Sequence, residues 1–351
     1  MKPQGVFRQT GCRELKQEQE KGRGAPVRYR VCSERRDGRE HVILSDDRTG
    51  SEAFIIPGIG CNLIRCRLEG HETIEGPPHL SMLAEYSAEY GVPLLWPPSR
   101  IAGGTFAFRG RRYTFPQHEG GHHLHGDIRH LPWEVVSLSA SETEGAWMTA
   151  ALRATDHPGW YAYYPHEVAL RLTYRLKEGR ISAVLDAVNE GRDEAPYGFG
   201  IHPYFTLSGD GLEETEVAVP AEFQYDTSEL VGIGRLPERT VLCRQLDGGL
   251  TVSALPAELD HVLLRLVPGK RECRLTRRRS GIRIVFGFSE NLAHAVVFVP
   301  EWAHAVSLEP WSSITDAFNS PLPAEWTGLS GLEGGQAVRF EWQWHVERLG
   351  Q

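Results

Sequence analysis

Hydrophobic residues recur at every second position along most of this chain. The clearest run is Val168, Leu170, Leu172, Tyr174 and Leu176, alternating with Glu167, Ala169, Arg171, Thr173, Arg175 and Lys177. Successive side chains on a strand point to opposite faces, so the run predicts a strand with one buried face. Glu178-Gly179 reads as a turn, and Ile181, Ala183, Leu185 and Ala187 resume the alternation, which predicts a β-hairpin. Residues 105–115 predict a second hairpin turning at Arg109-Gly110. Near the end of the chain Val338, Phe340, Trp342, Trp344 and Val346 alternate with polar residues. A helix would scatter those tryptophans around its axis; a strand places both on one face. Further strands are expected at 40–45, 62–68, 261–267, 281–288 and 294–299, and one short helix within 79–90.

Glycine and proline, 37 and 22 of them, are spread throughout as turn punctuation. Many short strands with few helices predict an all-β fold, a sandwich or barrel. No repeat of 20–50 residues and no low-complexity linker divides the chain. We therefore expect a polar tail over 1–25 and a single domain over 26–351. Lys16 to Lys21 is almost wholly charged or amide, with nothing apolar to dock, and reads as disordered or as a frayed helix.

The 351 residues carry 38 Lys and Arg against 46 Asp and Glu, a formal net charge of −8. This mild acidity argues against nucleic-acid binding, which needs a basic face, and disfavours an anionic membrane surface. No run is apolar enough to span a membrane, and the polar N-terminus lacks the apolar core of a secretory signal. Cys12, Cys32, Cys61, Cys66, Cys243 and Cys273 contain no CxxC pair and are expected to be reduced thiols in a cytoplasmic protein.

Five stretches offer chemistry. Gly120 to Asp127 holds His122, His123 and His125. On a strand His123 and His125 would share a face, as an HxH metal pair does. Asp127 and Glu134 are the nearest carboxylates, at spacings that do not suit such a site. The plainer reading is a loop in which one imidazole binds a polar ligand. The second stretch is Tyr197-Gly198-Phe199-Gly200-Ile201-His202-Pro203-Tyr204-Phe205, a histidine between glycines that permit close backbone approach and an aromatic wall. The third places Glu309 between Leu308 and Pro310-Trp311, where a carboxylate is either at a water-facing edge or buried for a purpose. Asp260 stands at the mouth of a strand, as a turn or cap residue would. Arg100 sits in a Pro/Gly-rich loop, 97–104. Nucleotide-binding glycine loops, GxSxG and HExxH are all absent.

In this order, these stretches resemble the aldose 1-epimerase (galactose mutarotase) family. The matching segments read GVPLLWPPSRIAGGTFAFRGRRYTFP, HLHGDIRHLPWEVV, VNEGRDEAPYGFGIHPYF, LDHVLL and VSLEPWSSITDAFN. The resemblance implies a large, twisted antiparallel β-sandwich of the galactose mutarotase type with a sugar cleft. It assigns His202 as catalytic acid and Glu309 as catalytic base, with Arg100, His125 and Asp260 binding sugar hydroxyls. It implies no metal and no organic cofactor. The expected activity is interconversion of the α and β anomers of a free aldose, by a monomer or homodimer whose only partner is the sugar. Two departures bear on the substrate: Ser99 precedes the loop arginine where the family commonly has Asn, and Asp127 follows His-Gly. The pattern from His125 through Arg129 to Trp133 is shared with relatives acting on hexose 6-phosphates. Arg129 with Arg111 or Arg112 would then clamp a phosphate. A hexose-6-phosphate 1-epimerase and a non-catalytic sugar-binding protein on the same fold are the alternatives. Retention of both His202 and Glu309 argues against the second, since binding alone needs no acid/base pair.

Overall fold

The computed structural model describes residues 13–14, 27–118, 120–227, 231, 234–256 and 262–350. The tail expected at 1–25 thus lies almost entirely outside the described residues. The strands form three main antiparallel sheets. The first runs in chain order through Arg13–Glu14, Tyr29–Arg36, Arg39–Asp46, Ser51–Ile56, Asn62–Leu68 and His71–Glu72. The second has nine strands, in the order Glu134–Ser141, Gly145–Arg153, Val168–Lys177, Arg180–Asn189, Ala337–Arg348, Ile282–Phe288, Glu272–Arg277, Thr215–Ala218 and Leu250–Thr251. Its face packs against the first sheet. The third orders Ala221–Gln224, Val262–Leu266, His294–Phe298, Ala305–Trp311, Gly200–Ile201 and Leu94–Leu95, with Tyr204–Thr206 also paired to Ala305–Trp311. The fold is the all-β antiparallel sandwich that the alternation predicts.

Both predicted hairpins form, with Val168 facing Asn189 and Arg111 facing Phe108. The strand holding Trp342 and Trp344 is central to the nine-stranded sheet, between Arg180–Asn189 and Ile282–Phe288. Phe340, Trp342 and Trp344 lie on its buried face. Phe199 packs on Phe340 at 4.6 Å and on Trp342 at 5.9 Å, and Phe205 meets Trp344 at 5.8 Å. These contacts pin both ends of the segment containing His202 to the large sheet.

Three features depart from expectation. The short helix Met82–Glu85 falls where one was expected, but Pro158–Tyr163 and Val241–Gly248 are helical too. The second starts at Thr240, whose hydroxyl accepts from Cys243 N–H, and buries Leu242, Cys243 and Leu246. At eight residues it is too short to develop a helical period in the sequence. Cys32 is disulfide-bonded, which corrects the expectation of six reduced thiols; Cys61, Cys66, Cys243 and Cys273 are free and buried. The 97–104 loop, whose proline and glycine are usual in surface turns, is instead buried at Pro97, Pro98 and Ser99 and half-buried at Arg100. Among the described residues no helix is long and apolar enough to cross a membrane.

Candidate active site

The strand Ala305–Trp311 builds the floor of the site. Val306 and Leu308 join the main core, so alternation turns Ser307, Glu309 and Trp311 to the opposite face. Neighbouring strands lie on both sides of it, so Glu309 is interior to the sheet and 2% exposed rather than a water-facing edge residue. Burial pushes its carboxyl well above the usual carboxylate range. Glu309 Oε2 and the Trp311 indole N–H are both buried and find no hydrogen-bond partner. A buried carboxylate oxygen left open in this way costs stability and is suited to a ligand.

His202 meets that floor. Its Nε2 stands 3.3 Å from Glu309 Oε1. Its Nδ1 is 2.9 Å from Ser307 Oγ. The ring stacks on Tyr204 at 4.5 Å with 8° between planes. The backbone follows from the glycines: a Cβ on Gly200 would lie 2.4 Å from Trp311 Cδ1, and one on Gly198 would lie 2.4 Å from Ser313 Oγ. The close approach allowed by glycine is what brings His202 over the strand.

His125 closes a third side, its ring 5.5 Å from that of His202 and 6.4 Å from that of Trp311. His123 and His125 do not share a face, which corrects the strand reading. The strand ends at Leu124, and His125 has φ 62°, a left-handed conformation that turns its ring away from that of His123. Ser99 N–H donates to His125 Nδ1 at 3.1 Å, and His125 N–H donates to Ser99 O at 2.8 Å. Because Nδ1 accepts, the proton of the neutral ring sits on Nε2. Ser99 itself is left-handed, with φ 56°, and its hydroxyl donates to Thr315 at 3.0 Å. Arg100 follows it, paired with Leu124 and accepting Asp316 N–H on its carbonyl at 2.8 Å. The structure thus brings His202, Glu309 and His125 together and places Arg100 on the adjoining strand pair. Asp260 lies outside the described residues. The sequence reading did not single out Ser307 and took Tyr204 only as part of an aromatic wall; the period of two through VSLEPW is the signal that places Ser307 beside Glu309.

Residues 42–341 match the family model for aldose 1-epimerase. The chain belongs to the aldose 1-epimerase family. Among curated relatives it is 30% identical to the uncharacterized protein YihR of Escherichia coli K12, over 80% of this chain and 86% of that protein. A galactose mutarotase-like protein from Clostridium acetobutylicum superposes with a TM-score of 0.82 at 21% identity, covering 92% of this chain and 99% of that one. Galactose 1-epimerase from Lactobacillus acidophilus gives a TM-score of 0.71 at 16% identity, covering 92% and 100%. At these identities the two structures establish the shared fold.

Behind the site of this epimerase-family chain lies a second polar cluster. His118, His123 and Asp127 each bring one ligand-type atom within 4.8 Å of the others. His123 Nδ1–H donates to Pro116 O at 2.7 Å. His118 Nδ1 accepts Leu124 N–H at 3.4 Å, so the proton of its neutral ring sits on Nε2, 3.7 Å from Asp127 Oδ1. A ring nitrogen that carries a proton does not ligate a metal. Tyr163 also donates to Asp127. The trio stands behind the turn that carries His125, with His123 Nε2 buried and without a hydrogen-bond partner. Glu134, the other carboxylate weighed for a metal, is exposed. Arg129 is 7% exposed and turned inward, donating to Ser87 Oγ at 2.9 Å and Leu124 O at 3.1 Å. It holds the chain and is not presented as a phosphate clamp, while Arg111 and Arg112 are exposed on a separate hairpin. A surface groove lies elsewhere, over the first sheet at Arg30, Glu34, His41 and Arg65; His202, Glu309, His125 and Arg100 do not line it.

Proposed function

We propose that this chain is an aldose 1-epimerase that interconverts the α and β anomers of a free aldose. The observation that carries the reading is the buried contact between His202 Nε2 and Glu309 Oε1, 3.3 Å apart. Ring opening needs a proton removed from the C1 hydroxyl and one delivered to the ring oxygen. Both oxygens are bonded to the same carbon, so an acid and a base that nearly touch can each reach one. Glu309 takes the hydroxyl proton as the C1 carbonyl forms and the bond from C1 to the ring oxygen breaks. His202 delivers its proton to the departing ring oxygen. Rotation about C1–C2 turns the other carbonyl face to the ring hydroxyl, and reversed roles close the ring. Each positioned proton transfer typically contributes about 10²–10⁴ in rate. His125, with its Nε2–H, and Arg100 supply donors for ring hydroxyls, and Asp260 an acceptor, so that C1 is held against the pair.

Polarimetry of freshly dissolved α-glucose, α-galactose and glucose 6-phosphate with purified protein tests this. The expected result is faster decay of rotation for a free sugar. Acceleration of the phosphorylated sugar alone, or binding of sugars without acceleration, overturns it.

A further inference from the structure

The chain that leaves the floor strand returns to the loop that carries Arg100. Beyond Trp311 every second amide is anchored: Ser312 N–H donates to Phe199 O at 2.8 Å, Ile314 N–H to Thr327 O at 2.9 Å and Asp316 N–H to Arg100 O at 2.8 Å. Asp316 then takes a second hold on the same loop, where its Oδ1 accepts Ala102 N–H at 3.0 Å from a residue 214 positions earlier. One residue thus bonds the backbone on both sides of Arg100. Neither bond depends on a movable proton, because a backbone amide can only donate and a backbone carbonyl can only accept. Asn319 seats the carboxylate, its Nδ2 donating to Asp316 Oδ1 at 2.7 Å and to Thr105 O at 2.9 Å; the carbonyl partner fixes which way that amide faces. Phe318 stacks on Phe106 at 4.2 Å and anchors the turn to the hairpin that follows the loop. The loop needs such a hold. Ser99, Gly103 and Gly104 all have left-handed backbone, with φ 56°, 60° and 64°. A serine in that region is costly and persists only where its surroundings over-determine it. Asp316 is left-handed too, with φ 50°, a conformation that aspartate, asparagine and glycine accept most readily. A turn aspartate ordinarily bonds an amide two residues on; here its oxygen reaches across to the Arg100 loop.

We propose that Asp316 is a positioning residue for Arg100, a two-point clamp that ties the backbone of the arginine to the chain that carries Glu309. Glu309 and Asp316 are seven positions apart. The group that takes the C1 proton and the loop that offers a donor to the ring hydroxyls are therefore held by one short stretch of backbone. A displaced arginine loosens the sugar and leaves the contact between His202 and Glu309 as it is. Loss of the clamp therefore falls on binding rather than on proton transfer. The proposal rests on the reading of Arg100 as a sugar-binding group, but the clamp itself can be observed without any sugar.

Two variants separate the oxygen from the backbone. Asp316→Gly accepts the left-handed conformation and removes the oxygen, while Asp316→Asn keeps both. The first measurement is amide hydrogen exchange of the sugar-free protein. In Asp316→Gly the Ala102 amide should exchange about tenfold faster while the amides of Ala305–Trp311 keep their wild-type rates. In Asp316→Asn the Ala102 amide should stay protected. The second measurement is anomerisation. Asp316→Gly should raise KM about tenfold with kcat little changed, and Asp316→Asn should restore most of the loss. The double variant Arg100→Ala with Asp316→Gly should have a KM no higher than Arg100→Ala alone, because a group that acts through Arg100 then has nothing left to position. Losses in KM that multiply in the double variant overturn the proposal, as does an unchanged KM in Asp316→Gly or an asparagine variant as impaired as the glycine one. An Ala102 amide unmoved by Asp316→Gly overturns it as well, and so does faster exchange throughout Ala305–Trp311, which would mark a general structural role. A loosened Ala102 amide in a protein that anomerises no sugar would support the clamp and overturn the proposed function.

Discussion

Glu309 sits on a strand whose seven residues are all buried, and its neighbours on the floor are a serine and a tryptophan. Replacing it by Gln keeps the shape but removes the acceptor for the hydroxyl proton, so kcat should fall about 10²-fold or more while sugar still binds. His202→Asn should do the same, and the double variant should be little worse than either, because the two groups act as a unit. Glu301, eight residues earlier and exposed, is the control: Glu301→Gln should be near neutral. Equal losses at Glu301 and Glu309 in the steady-state assay would show the wrong carboxylate has been chosen. Glu309→Gln should also stabilise the protein. Its carboxyl is raised in the folded state, so wild-type stability is fully present below the unfolded value near 4.3 and declines as pH rises towards the folded value. The melting temperature of Glu309→Gln should therefore exceed wild type at pH 8 and match it near pH 4. Apolar neighbours made Glu309 legible in the sequence, and the HPYF setting did the same for His202. Ser307 was not legible as a site residue, because a serine among apolar neighbours marks no chemistry until its strand is placed beside His202, and Tyr204 read only as part of an aromatic wall.

At the scale of elements, alternation identified the long strands because each has one face on a core. It failed where the backbone leaves the strand region. The HLH stretch reads as one face of a strand, yet its second histidine is left-handed and belongs to a turn. That turn depends on Gly126, where φ is 66° and a Cβ would lie 1.9 Å from Trp96 O. Gly126→Ala should cost about 1–2 kcal/mol for the backbone alone, and more for the clash. Thermal unfolding should show the lower stability, and a raised KM should show that His125 has moved. A wild-type KM in a destabilised Gly126→Ala protein would separate the turn from the site. The helix Val241–Gly248 escaped notice for the opposite reason: two turns around one buried stripe look like any short apolar run.

Across the whole molecule, several buried histidines are kept neutral. His123, His166 and His294 are almost fully buried, and burial pushes each down to about 4. Lowered folded values mean stability that is complete above the unfolded value of about 6.5 and is lost as pH falls through the folded one. The urea midpoint should drop steeply between pH 6.5 and 4, and His294→Gln should flatten part of that slope; a level midpoint would contradict the burial argument. The sheet order has a consequence of another kind. Ala337–Arg348 is the last strand of the nine-stranded sheet to leave the ribosome, yet it occupies the middle, joining Arg180–Asn189 to Ile282–Phe288. Until it is made, two finished half-sheets each display a long unpaired edge, of the kind that recruits other chains. A nascent chain of this design has to be shielded until its final strand arrives. A chain cut before Ala337 should accumulate as aggregate rather than as a weakened enzyme, and adding residues 337–348 back as a peptide should rescue soluble protein by filling the gap between the halves.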